Sequence, residues 1–220
     1  LPPAVFGSEN RRRPTPYICS RQDIERLVQA AVHPVYRGLR RDTYSTFFAL
    51  LACTGLRVSE AIGLRYEDIT PDGLVIRCSK FRKSRLVPLH DTARTQIERY
   101  LGRRRRYAPF EDHVFVSMKG KPLRLRHVDT AFRIAARKIG LPCGPRPPRA
   151  TPHSLRHSFA VRALETCPDG RDRITQHMLA LSTYLGHRSV AHTYWYLDAT
   201  PELMRNIAEH CESFVTGERP

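Results

Sequence analysis

The feature that most constrains this chain is one short block of β-forming sequence inside an otherwise helical pattern. Three segments carry it: LRYEDI from Leu64, GLVIRCS from Gly73 and SRLVPL from Ser84. They are short and β-rich, and turn chemistry separates them. Pro71-Asp72-Gly73 lies between the first two, and the basic run KFRK, Lys80 to Lys83, between the last two. Strands joined this closely pair as antiparallel neighbours. The expected fold is therefore mainly α with a small three-stranded antiparallel β-sheet.

Helical signals fill the rest. Ser20 with Asp23 makes a capping-box pattern, after which Ile24, Leu27, Val28 and Ala31 share a face. RDTYSTFFALLACT, from Arg41, is strongly apolar and is expected at the centre, with Gly55 as its stop. LRVSEAIGL, from Leu56, fits a short helix across a tight corner. Further helices are expected in DTARTQIERYLGRRRR, RHVDTAFRIAARKIG, HSLRHSFAVRALET, DRITQHMLALSTYLG, VAHTYWYL and ELMRNIAEHCESF. Thr151-Pro152 and Thr200-Pro201 each read as an N-cap followed by proline at the first helical position. LPCGPRPPRATP, from Leu141, is too proline-rich for a regular element. Residues 1–16 read as a linker or arm and residues 17–220 as one domain. The first residue is Leu1, not Met, as expected of a fragment of a longer protein.

The 220 residues include 37 Lys and Arg against 21 Asp and Glu, a formal net charge of +16. A globular chain carries that excess against its own repulsion, which points to a polyanionic partner. Nucleic acid comes first and an anionic membrane surface second; a basic but merely solvated surface is the alternative. Cysteines at positions 19, 53, 78, 143, 167 and 211 show no CxxC spacing and read as reduced thiols of a cytosolic protein. No apolar run is long enough to span a membrane, and no signal peptide is visible.

Some polar residues fall out of the helical pattern. In TPHSLRHSF, a cap at Thr151 puts His153, Arg156 and His157 on one face of the first two turns. Free N–H groups at a helix start, together with an arginine and two histidines, suit a phosphate or oxyanion; an ordinary surface helix start is the alternative. His153 and His157 also have metal-ligand spacing, but HExxH chemistry needs Glu where Ser154 stands, so no metal is expected. Arg57, between Leu56 and Val58, must snorkel or find a partner, and Glu60 is near enough to be one. Lys80, Arg82, Lys83 and Arg85 load a hairpin tip with positive charge, which reaches a nucleic-acid groove or is simply solvated. His187 follows the helix-ending Gly186, and Tyr196 follows one short helix later. His192 reads as an exposed helix residue, and Tyr184 as packing.

TGLRVSE, a hairpin lysine ahead of RLVPL, HSLRH, and LGH followed by a tyrosine occur in that order. Together they resemble the signature of the tyrosine recombinases, the phage-integrase and Xer-like family, over about residues 17 to 215. The resemblance implies that family's catalytic fold and a role for each matching residue. Arg57 and Arg156 match the two catalytic arginines, and His153 the first histidine. Lys80 matches the hairpin lysine, with Lys83 as the fallback. His187 matches the position that is histidine or tryptophan, and Tyr196 the nucleophile. His157, Tyr194 and Trp195 are left with structural roles. The implied partner is double-stranded DNA, with no membrane. The implied assembly is a monomer in isolation and a homotetramer on paired sites, in the cytoplasm with the nucleoid. The family's usual N-terminal DNA-clamping domain has no counterpart in this chain. Leu203, Ile207 and Phe214 could form a face of a C-terminal helix that docks on a neighbour or on its own domain.

The implied chemistry follows from the residue types. Two arginines stay charged at physiological pH and can each donate paired hydrogen bonds to non-bridging phosphate oxygens. With His187 and the lysine they stabilise a pentacoordinate phosphorus without a divalent cation, so neither metal nor cofactor is expected. A phenol with an ordinary pKa near 10 needs a base, for which His153 is the candidate, and Lys80 is the candidate acid for the leaving 5′ oxygen. The 3′-phosphotyrosyl product keeps the bond energy, so rejoining needs no ATP. Two other readings stay open: a type IB topoisomerase-like enzyme, and a catalytically silent DNA-binding module.

Overall fold

A computed structural model describes residues 16–32, 39–77, 84–166, 171–187 and 191–194. Helix α1 (Arg21–Ala30) starts at Ser20, whose Oγ accepts the Asp23 N–H at 3.1 Å while the Asp23 carboxylate accepts the Ser20 N–H at 3.1 Å. Next door, the Cys19 N–H donates to Ser158 Oγ at 2.7 Å and fixes the start of α1 to a later helix. Helix α2 (Leu39–Thr54) is the central element. It packs against α1, α4 (Asp91–Arg104) and α6 (Pro152–Glu165). Phe47, Phe48 and Leu51 are fully buried on it. Phe47 meets Phe115 edge-on at 5.0 Å, and Phe48 meets Phe132 of α5 (Leu125–Lys138) the same way at 5.5 Å. Truncating one such buried ring costs about 3–5 kcal/mol.

Helix α3 (Val58–Ile62) follows the Gly55 corner. The sheet is then built from β1 (Ile69–Thr70), β2 (Gly73–Ile76) and β3 (Arg85–Val87), antiparallel in the order β1-β2-β3. Register pairs Ile69 with Leu74, and Leu74 in turn with Val87. The first strand is shorter than LRYEDI suggests. Tyr66–Asp68 form a 3-10 turn instead, with Asp68 accepting the Arg65 N–H at 2.9 Å and the Arg77 Nε–H at 2.6 Å. HVFVS contributes only isolated bridges, Arg65 with His113 and Val116 with Pro122. The proline-rich stretch after Leu141 forms no helix or strand.

A second, smaller apolar cluster joins α6 to α7 (Arg171–Leu185). Ala160, Val161 and Leu164 meet Met178, Leu181 and Leu185 there. This cluster fixes the C-terminal end of α7 over the Gly55 corner and β3. The short helix α8 (Ala191–Tyr194) packs on α7. The expected helix from Glu202 onward lies outside the described residues.

Candidate active site

Helix α7 ends in a Schellman motif. Gly186 has φ +65°, its N–H donates to the Thr183 carbonyl at 3.0 Å, and the His187 N–H donates to the Ser182 carbonyl at 3.0 Å. The next three carbonyls each take an arginine. Arg85 Nε donates to the Tyr184 carbonyl at 2.7 Å, Arg156 Nη2 to Leu185 at 2.7 Å, and Arg57 Nη2 to Gly186 at 2.8 Å. These arginines come from β3, from α6 and from the corner before α3. A helix C-terminus is the negative end of the backbone dipole, so it is a natural anchor for cations. The last carbonyls of α7 thus gather guanidinium groups from three distant parts of the sequence.

Glu60 completes the anchorage. Its carboxylate accepts Arg57 Nη1 at 2.8 Å and the Arg57 backbone N–H at 2.9 Å. The same two oxygens accept a two-pronged pair from Arg85, at 3.0 and 2.8 Å. Burial alone would raise the Glu60 pKa; the hydrogen bonds from Arg85 and the Arg57 backbone outweigh it and hold the carboxyl below its ordinary value. Arg156 is only 2% exposed, and its Nη1 donates to the Gly55 carbonyl at 2.6 Å. Gly55 has φ +61°, and a Cβ there would lie 2.5 Å from the Phe159 ring. A glycine is therefore required at this corner on two grounds, backbone and space.

Histidines line the arginine cluster. His153 and His157, one turn apart on α6, meet edge-on with ring centres 4.4 Å apart. His187 Nδ1 shares a hydrogen bond with Thr193 Oγ1 at 2.9 Å, and Thr193 is fully buried on α8. The His187 pKa is pushed down to about 3, first by burial and then by Arg156 and Arg57. That of His157 also falls to about 3, through burial, His153 and then Arg156. His153 is shifted down as well, by desolvation, Arg156 and Arg57; it is the exposed member, so solvent screens part of the effect. All three are neutral near pH 7 in the free chain. A neutral imidazole can accept a proton, and it can donate one N–H to a phosphate oxygen.

The phage integrase family model matches residues 19–202. The chain belongs to the phage integrase family. Among relatives, a chain of Sinorhizobium fredii provisionally named integrase/recombinase y4rB is 35% identical over 221 aligned positions, covering 96% of this chain and 70% of that one. The crystal structure of XerA recombinase superposes with a TM-score of 0.70 at 25% identity, over 94% of this chain and 67% of that one. XerH site-specific recombinase, bound to palindromic difH substrate in a post-cleavage complex, gives a TM-score of 0.70 at 20% identity, over 90% of this chain and 54% of that one. The mainly helical fold with its small antiparallel sheet is the fold of tyrosine recombinase catalytic domains. The family is one of enzymes that cleave and rejoin DNA.

Of the residues singled out in this phage integrase chain, the structure brings Arg57, His153, Arg156 and His187 to one place. Lys80, Arg82, Lys83 and Tyr196 lie outside the described residues. Arg85 is the one that moves. It was expected beside Arg82 and Lys83 as a DNA-contacting cation at the hairpin tip, but its side chain is 10% exposed and turned inward onto Glu60 and α7. Strand parity is the reason. Val87 is a core residue, and Arg85, two positions earlier, lies on the same face, while Leu86 between them is 46% exposed. Glu60 was legible as a partner of Arg57 but not as a bridge to a second arginine. Thr193 was missed, because nothing in its spacing from His187 marks a contact. His192 is exposed and Tyr184 stacks on Phe159 at 5.5 Å, as expected.

Proposed function

We propose that residues 17–220 act as the catalytic domain of a site-specific DNA recombinase or integrase, with Tyr196 as the nucleophile and a 3′-phosphotyrosyl intermediate. The observation that supports this best is the pair Arg57 and Arg156, held on the consecutive carbonyls of Gly186 and Leu185 with His187 next in the chain. Two fixed guanidiniums beside neutral imidazoles form a site for a phosphodiester anion. The carbonyl bonds set each guanidinium plane before DNA arrives, so no reorganisation is needed as charge builds on phosphorus. Losing one such donor removes about 3 kcal/mol of transition-state stabilisation.

The reaction follows from there. The Tyr196 oxygen attacks phosphorus, its proton passes to His153, and the bond to the 5′ oxygen breaks. Lys80, with Lys83 as fallback, protonates that leaving oxygen. His187 donates an N–H to the phosphate. A 5′ hydroxyl reverses the sequence and reseals the strand. Arg82 and Lys83 flank this step as DNA contacts. The partner is double-stranded DNA, met in the cytoplasm on the nucleoid. The chain is a monomer alone and a homotetramer on paired sites.

The test is incubation with nicked suicide duplexes tiled across the DNA that flanks the gene. A covalent adduct confined to particular duplexes is the expected result. Relaxation of arbitrary plasmids by the monomer would identify a topoisomerase-like enzyme instead. DNA binding with no adduct on any duplex would identify a silent module.

A further inference from the structure

We propose that Arg85 is a positioning residue for strand cleavage, acting through Glu60 on Arg57; this rests on the function proposed above. Its guanidinium lies between the Glu60 carboxylate and the end of α7. It makes two parallel bonds to the carboxylate, at 3.0 and 2.8 Å, and one to the Tyr184 carbonyl, at 2.7 Å. The same carboxylate oxygens hold the Arg57 side chain and backbone, at 2.8 and 2.9 Å. Glu60 is 7% exposed at its side chain and Arg85 10%, so water does little to screen these charges.

Charge gives the first reason. A buried Glu60 paired with Arg57 alone would cancel the charge that a phosphate needs. A second guanidinium on the same carboxylate leaves the trio with a net positive charge. Geometry gives the second. An arginine side chain has many rotamers, and a carboxylate held by only one partner can turn. Arg85 fixes both Glu60 oxygens in one plane, and that plane aims Arg57. The third reason is the space made for it. Gly186 has φ +65°, and a Cβ there would come within 2.9 Å of Arg85 Nη1. The residue that ends α7 thereby also seats Arg85.

Arg85 opens β3, directly after the segment that carries Lys80 and Lys83. Its inward bonds therefore tie the base of the hairpin to the arginine pair. Arg85 touches no reacting atom in this scheme. It acts by holding Glu60, which in turn holds a residue that does.

The experiment is a double-mutant cycle on single-turnover cleavage of a duplex that the wild-type chain cleaves, with DNA affinity measured separately. Arg85→Met should slow cleavage about tenfold or more with little change in affinity. In an Arg57→Ala background the same change should cost almost nothing further, because Arg85 acts through Arg57. Arg85→Lys, which keeps the charge but loses the fork, should fall between wild type and Arg85→Met. It also carries the cycle if Arg85→Met does not fold. Unchanged cleavage, losses that multiply in the double variant, or a loss confined to DNA affinity would each overturn the proposal. Rotation of the Arg57 guanidinium, followed by NMR without DNA, gives a readout that needs no cleavage. It should be restricted in wild type and freed in the Arg85 variants. Freed rotation with no cleavage by wild type would leave the positioning role standing and remove the functional reading. Rotation that stays restricted in the variants would remove the positioning role itself.

Discussion

The site's histidines are held neutral by burial and by the arginines beside them. His157 and His187 both have pKa values of about 3 in the folded chain, against an ordinary value near 6.5. The unfolded chain therefore takes up protons first as pH falls. The stability these groups contribute is whole above about pH 6.5 and drains as pH falls toward 3. Glu60, held below its ordinary value, adds a loss of the same sign at the acid end of that window. The melting temperature of the free chain should be flat from pH 8 to 7 and fall progressively below about pH 6.5, as stability drops by on the order of 1 kcal/mol or more by pH 5. A melting temperature that rises between pH 6.5 and 5 would contradict this. Arg57, Arg156 and the histidines were legible because each breaks an apolar pattern inside a recognisable motif. Arg85 was grouped with the DNA-contacting tip because a basic run looks outward-facing in sequence, and only the parity set by Val87 turns one of its members inward.

At the scale of elements, two helix ends do the positioning. The C-terminus of α2 supplies the Gly55 carbonyl to Arg156, and the C-terminus of α7 supplies three carbonyls to three arginines. Gly55→Ala strains a backbone at φ +61° and drives a methyl into the Phe159 ring. Left-handed backbone costs an alanine about 1–2 kcal/mol and overpacking about 1–3 kcal/mol more. Thermal unfolding should show a loss of about 2–5 kcal/mol, and cleavage should fall because the Arg156 anchor shifts with the corner. A variant with wild-type melting temperature and cleavage would show that the corner has slack. Among the described helices, the starts of α1 and α6 could be read from caps and a proline, and the stops of α2 and α7 from glycines. The first strand was overread, because a β-rich run does not reveal that Asp68 will accept the Arg65 N–H and close a 3-10 turn.

At the scale of the whole molecule, the excess positive charge divides between two uses. Arg26, Arg57, Arg85, Arg94, Arg104, Arg156 and Arg162 each donate to at least one backbone carbonyl of the chain itself. Arg104 is fully buried, with its guanidinium 4.9 Å from the centre of the Tyr66 ring. A fully buried arginine such as Arg104 thus counts in the net charge of +16 without facing a polyanion, although composition gives no means of separating the two groups. The family and its fold were legible because short motifs stand in a fixed order along the chain. How those motifs meet was not, because it depends on helix-end carbonyls that no side-chain pattern records. The proposed function requires that the arginine cluster serve the Tyr196 oxygen. It is tested most directly by trapping the covalent adduct on suicide DNA, digesting DNA and protein, and locating the nucleotide by tandem mass spectrometry within the peptide that holds both Tyr194 and Tyr196. The nucleotide is expected on Tyr196, with no adduct from Tyr196→Phe and an adduct retained by Tyr194→Phe. A nucleotide on Tyr194, or on Ser154, would contradict it.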